Sequence, residues 1–111
     1  MTSLGKSGPE IVFALYTPHE GKLDALLKIV RTHVPTLRRL EFVTDRPAIV
    51  AKSSDGTVIE VFEWASGEAA RAAHDHPEVA ALWESIGTVS KIATLADLPE
   101  AKRPFCHLTP V

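Results

Sequence analysis

The segment Thr57–Pro77 reads TVIEVFEWASGEAARAAHDHP. Its first part, with Val58, Ile59, Val61, Phe62 and Trp64, has the β-branched and aromatic composition of a strand. The run stops at Ala65-Ser66-Gly67, and an alanine-rich helical stretch follows. Ser66 suits an N-cap, because its hydroxyl can accept an amide that the first helical turn leaves free. Pro77 has no amide donor, so a kink or a fresh helix start is expected after His74-Asp75-His76.

Upstream, Ser54-Asp55-Gly56-Thr57 separates two strand-like runs, Ala48–Ser53 and Val58–Trp64. Asp-Gly between strands predicts a hairpin with a type I′ turn, which needs positive φ at both central residues. Ile11–Tyr16 (IVFALY) is nearly all apolar, as expected of a strand covered on both faces. Thr17-Pro18-His19-Glu20 has the pattern of a capping box, with Pro18 at the first helical position. Leu23, Leu26, Leu27, Val30 and Val34 then recur three or four apart, the stripe of an amphipathic helix that Pro35 should end or kink. Leu37–Thr44 fits either a last helical turn or the start of a strand. Downstream, Val79, Leu82, Trp83 and Ile86 mark the apolar side of the second helical half, with Gly87 as its C-cap. Val89–Leu95 gives a last strand.

The order is therefore β-α-β-β-α-β. Right-handed crossovers would place both helices on one face of an antiparallel four-stranded sheet, a ferredoxin-like α+β fold. Residues 1–9 read as a loose arm, 10–98 as the folded domain, and 99–111 as a tail that packs on the domain or a partner through Phe105 and Leu108. Strand 3 sets Val58, Glu60, Phe62 and Trp64 against Ile59 and Val61, and strand 1 has no polar side. Two helices cover one face only. A second copy, meeting the first through the open sheet face, is the economical cover, and the tail folded over the sheet is the alternative.

Composition sets further bounds. The net charge of −2 and only two adjacent basic pairs, Arg38-Arg39 and Lys102-Arg103, argue against nucleic acid as a partner. No apolar run approaches the roughly 20 residues of a membrane span, and residues 1–10 lack the apolar core of a signal peptide. A single cysteine, Cys106, cannot form an intrachain disulfide and fits a reducing cytoplasm.

The hairpin DGTVIEVFEW and the helical sequence AAHDHPEVAALWESIG, set in this order of elements, resemble the dimeric α+β-barrel superfamily. Within it the chain is most similar to antibiotic-biosynthesis-monooxygenase-like small proteins, over roughly Glu10 to Leu98. The resemblance implies two four-stranded sheets packed face to face as a barrel, with helices outside and a pocket between sheet and helices. It also implies a range of activities: cofactor-free monooxygenases of polycyclic aromatic substrates, haem-degrading enzymes and decarboxylases. Trp64 and His74 are the positions it carries over. The Asn-Trp-His pattern of haem degradation does not carry over, since the chain contains no Asn.

The residues themselves offer a short list. Glu60 lies mid-strand on an apolar face, where a carboxylate costs free energy unless paired. Either it is a general base for a phenolic or enolic proton, or strand 3 lies at a sheet edge or Glu60 pairs across the hairpin with Lys52 or Arg46, the more frequent arrangements. His74 is the second acid/base candidate; otherwise it bonds to backbone or to Glu63. His74 and His76 point about 200° apart on a regular helix, so no metal is expected, and His76 is read as a cap. Tyr16, Trp64 and Trp83, with Phe13, can line a pocket for a small apolar or aromatic ligand or can simply be core. Tyr16 stands out because a buried hydroxyl needs a partner. His33 is assigned only a favourable contact with the end of helix 1. Cys106-His107 is discounted as a nucleophile pair, since neighbours in extended chain point opposite ways. No nucleotide, flavin or nicotinamide signature is present, so no cofactor is expected.

These features support two readings: a cofactor-independent monooxygenase-like enzyme, or a non-catalytic dimeric binding or accessory protein.

Overall fold

The computed structural model describes residues 8–111, so most of the arm expected over residues 1–9 lies outside the described residues. The elements are β1 (Glu10–Pro18), α1 (Leu23–Arg39), β2 (Ile49–Lys52), β3 (Val58–Trp64), α2 (Gly67–His74), α3 (Pro77–Val89), β4 (Ser90–Ala93) and β5 (Thr109–Pro110). Every pairing is antiparallel, in the order β4-β1-β3-β2-β5. The expected four strands are all present in the expected positions. A fifth, from the tail, is added at the β2 edge, and the second helix is two helices.

The register sorts the side chains. Val12, Ala14 and Tyr16 of β1 stand opposite Phe62, Glu60 and Val58 of β3, facing the helices. Tyr16 and Val58 pack with Leu26 and Val30 of α1 and Ile86 of α3, while Phe62 and Trp64 pack with Leu37 of α1, Ala73 of α2 and Val79 of α3. On the other face, Leu15 and Ile59 pack with Leu98 and Leu108. The tail therefore does cover part of the open face, through Leu108 as expected and beside Leu98 just ahead of it; Phe105, the other expected anchor, is 79% exposed. The rest of that face is bare. Ile11, Phe13 and Ile49 are 51%, 50% and 63% exposed.

Several local expectations are corrected. The capping box at Thr17–Glu20 does not form, because β1 runs on through Pro18 to pair with Ser90 and the Thr17 hydroxyl meets that of Thr57 at 3.1 Å. Gly21, at φ 74°, makes the turn instead, and α1 starts at Leu23 without a side-chain cap. Pro35 does not end α1, which continues to Arg39. Interior proline costs about 3 kcal/mol, and the burial of Val34 and Leu37 on either side of it offsets that. The hairpin turn is not type I′: Gly56 alone takes positive φ, and Gly56 N–H donates to Ser53 O in a three-residue loop with a bulge. Asp55 sits there as an acceptor for the Ser53 hydroxyl and for Thr57 N–H, and those bonds, the Ser53 one foremost, hold its carboxyl below the usual range. Gly87 is not the C-cap, since α3 runs to Val89 and the Ser90 hydroxyl donates to Ile86 O.

Around Pro77 the sequence reading holds. Ser66 accepts from Ala69 N–H at 3.0 Å and starts α2. Pro77 opens α3, and His76 Nδ1 accepts from Glu78 N–H at 3.2 Å as its N-cap.

Candidate functional site

A cavity of about 470 Å³ lies between the helices and the sheet face they cover, within the range of about 300–1,000 Å³ usual for small-molecule sites. Its floor is Val12, Ala14 and Tyr16 of β1 with Phe62 and Trp64 of β3. Alternation places these residues on one side of neighbouring strands, so five apolar or aromatic side chains form one surface. Its walls come from His33 of α1, Ala70 and His74 of α2, and Trp83, Ile86 and Gly87 of α3, with Ile92 of β4 at the edge. Gly87 contributes to the cavity, rather than to a cap, by presenting no side chain there.

Behind this apolar lining runs a chain of hydrogen bonds, buried at Glu60 and part-buried at Trp83. Tyr16 and Glu60 are diagonal neighbours across β1 and β3, and the Tyr16 hydroxyl donates to Glu60 Oε1 at 2.9 Å. His33 Nδ1 lies 2.8 Å from the same oxygen. Trp83 Nε1 donates to His33 Nε2 at 2.8 Å. An indole N–H can only donate, so Nε2 must offer a lone pair and the imidazole proton must sit on Nδ1. His33 is thus neutral, donates to the Glu60 carboxylate and accepts from Trp83. Glu60 and His33 are 1% and 2% exposed, and this is how the sheet holds a carboxylate there. Burial foremost, then the charge and hydrogen bond of Glu60, push the Tyr16 hydroxyl well above its ordinary value. Ring contacts complete the arrangement: His33 meets Phe62 edge-on at 5.5 Å, and His74 meets Trp83 edge-on at 4.7 Å.

The four cavity candidates named from sequence, Tyr16, Trp64, His74 and Trp83, all line this one space. Glu60 does not; it stands behind Tyr16 and His33. Nor does it pair with Lys52 or Arg46, because it faces the helices and its partners come from β1 and α1. Arg46 pairs instead with Glu63 at 3.0 Å, on the opposite face, and Glu63 also accepts from Thr44. His74 therefore has no bond to Glu63; it is exposed at the cavity rim against Trp83. Phe13 is on the bare face, away from the cavity. His33 is the residue that sequence reasoning misplaced. It follows Val30 by three and precedes Leu37 by four, so helical spacing puts it on the buried stripe, and that signal was available. His74 lies against Trp83 and His76 against Phe42, and among the described residues no three potential ligands gather as a metal set.

No family model matches the sequence, and no curated protein matches it. Solved structures do. A candidate antibiotic biosynthesis monooxygenase from Nitrosomonas europaea superposes with a TM-score of 0.63 at 10% identity, over 84% of this chain and 91% of that one. A NIPSNAP family protein from Agrobacterium tumefaciens strain C58 gives 0.55 at 16% identity, over 76% and 78%. The fold is ferredoxin-like α+β. That agrees with the ferredoxin-like α+β arrangement expected within one chain, and at these identities the likeness extends to fold alone. Among the described residues, no helix is long and apolar enough to cross a membrane.

Proposed function

We propose that the cavity binds a small aromatic or polyketide-like molecule and that the protein acts on it as a cofactor-independent monooxygenase-like enzyme. The observation that carries this reading is an aromatic cavity whose apolar lining is broken by Tyr16 and two histidines, His33 and His74. In such a dry site a base can remove a phenolic or enolic proton and leave an anion able to reduce dioxygen directly. A ring methylene then becomes a carbonyl: one atom of dioxygen stays on the substrate, and the other leaves as water with the two methylene hydrogens. His74, exposed at the rim, is the base that a bound substrate meets first. Glu60 reaches the cavity only through Tyr16 and His33, so its part is to hold them and to balance charge.

Oxygen uptake with a hydroxyanthrone tests the proposal. Turnover should fall by about a hundredfold or more in His74→Ala and Glu60→Gln. Unchanged turnover in both variants, or none in the wild type, would remove the enzyme reading. The second reading is a binder without chemistry, favoured by one observation: Glu60, the carboxylate behind the cavity wall, is already bonded by two donors. Retained affinity with no oxygen uptake would select it.

The same proposal includes the assembly. Ile11, Phe13 and Ile49 form an uncovered apolar area beside the part that Leu98 and Leu108 occupy. Two copies meeting there would cover it and form a homodimer. A cytoplasmic setting accords with the one cysteine, Cys106, which is exposed.

A further inference from the structure

The bond between Trp83 and His33 has a consequence for what the cavity accepts. His33 Nε2 is a strong acceptor lining an apolar space, and among the described residues its lone pair is satisfied by Trp83 Nε1–H alone. The other ring nitrogen is fixed by Glu60, so His33 cannot turn to offer Nδ1 without leaving a buried carboxylate short of a donor. Glu60 in turn is held by Tyr16. The acceptor is therefore rigid. Its occupant is less so: Trp83 is only part-buried, belongs to the separately capped helix α3, and its ring meets the exposed His74 edge-on.

We propose that His33 Nε2 is the specificity-determining acceptor of this cavity, occupied in the free protein by the indole of Trp83. A flat aromatic ligand bearing one N–H or O–H donor takes its place. Trp83 itself shows the fit: an aromatic ring with a single donor on its edge satisfies Nε2. A ligand with the same features restores the bond it breaks. A ring without a donor must either stay clear of Nε2 or leave a buried acceptor unpaired, a difference of about tenfold in affinity. The inference rests on the reading of the cavity as a ligand site and adds which ligands it selects.

Two probes of the same ring system separate the possibilities, 2-naphthol and 2-methoxynaphthalene. The chain has two tryptophans, so the indole N–H signals of Trp64 and Trp83 can be followed by NMR and assigned with Trp83→Phe. The expected result is that 2-naphthol binds about tenfold more tightly than the ether and moves the Trp83 signal. Trp83→Phe keeps a ring but removes the resident donor, so the preference for 2-naphthol over the ether should widen by several-fold. Equal affinity for the two probes would overturn the inference while leaving the cavity reading standing. So would a preference for 2-naphthol that leaves the Trp83 signal unmoved, or one that shrinks in Trp83→Phe. Failure of both probes to bind would overturn the inference together with the cavity reading.

Discussion

The two faces of the sheet are built from alternate residues of the same strands, yet they solve opposite problems. The helix-covered face is closed by α1, α2 and α3 and still contains a tyrosine, a glutamate and a histidine among its buried groups. The other face is apolar through the middle of β1 and β3, with Ile11, Phe13 and Ile49 left in the open. Stability alone favours the reverse, with polar groups facing water and apolar ones inside. A buried carboxylate together with its donors contributes little net stability compared with packed apolar residues in place of the whole set, although removing the carboxylate alone is costly. Stability therefore accounts for neither the carboxylate beside the cavity nor the bare apolar area.

The largest expected effect comes from breaking the polar side of this comparison. Glu60→Ala would leave the Tyr16 hydroxyl and the His33 Nδ1–H buried without an acceptor. At about 1–3 kcal/mol for each orphaned group, the loss should be about 4 kcal/mol, a large share of a typical domain's stability. Glu60→Gln keeps a carbonyl acceptor and should lose less than half of that. Urea denaturation midpoints for the two variants measure the difference; similar midpoints would mean that Glu60 does not hold Tyr16 and His33 as described.

The apolar side is tested by association. Phe13→Asp places a carboxylate at the centre of the bare face, and two-fold pairing would bring two of them together. The wild type should sediment as a dimer at micromolar concentration, and the variant should need at least about a hundredfold more protein to associate. Its monomer should keep the wild-type far-ultraviolet spectrum, because Phe13 is half exposed and outside the core clusters. A wild type that stays monomeric would leave the bare face without a partner of its own kind.

How much of this was legible depended on how far apart in the chain the cause lay. Ser66, His76 and Pro77 act on neighbours within three residues, and their roles could be read directly. The alternation of β3 put Glu60, Phe62 and Trp64 on one face, as found, because side chains in a strand have period two. The partners of Glu60 lie 44 and 27 residues away, so only the assembled sheet and α1 bring them to it. The hairpin partners expected for it, Lys52 and Arg46, were the near ones in sequence. Thr17 shows the same limit from another side. Its local pattern fits a helix cap, but pairing of Pro18 with Ser90 on a distant strand keeps the chain extended there. The missed role of His33 was different in kind: its spacing was readable, but its polarity drew it to the helix end.

The smallest effect appears only at high pH, and it isolates one bond of the polar face. Tyr16 is the single tyrosine of the chain, and in the folded state burial and Glu60 keep its hydroxyl protonated far above the ordinary value. In the unfolded chain it should ionise near pH 10. Below that point both states hold the proton, and Tyr16 contributes no pH dependence. Above it the unfolded state releases the proton while the folded state retains it, so the unfolded state binds fewer protons and stability must fall as pH rises. One group gives a slope of about 1.4 kcal/mol per pH unit. Tyr16→Phe removes this term, so the difference in unfolding free energy between wild type and variant should shrink steadily above pH 10 and stay constant below it. Tyrosinate absorbance reports the same event without ambiguity: it should appear with unfolding rather than ahead of it. Absorbance rising near pH 10 in the folded protein would mean that the Tyr16 hydroxyl is open to water, and the bond to Glu60 would then not be the closed one described.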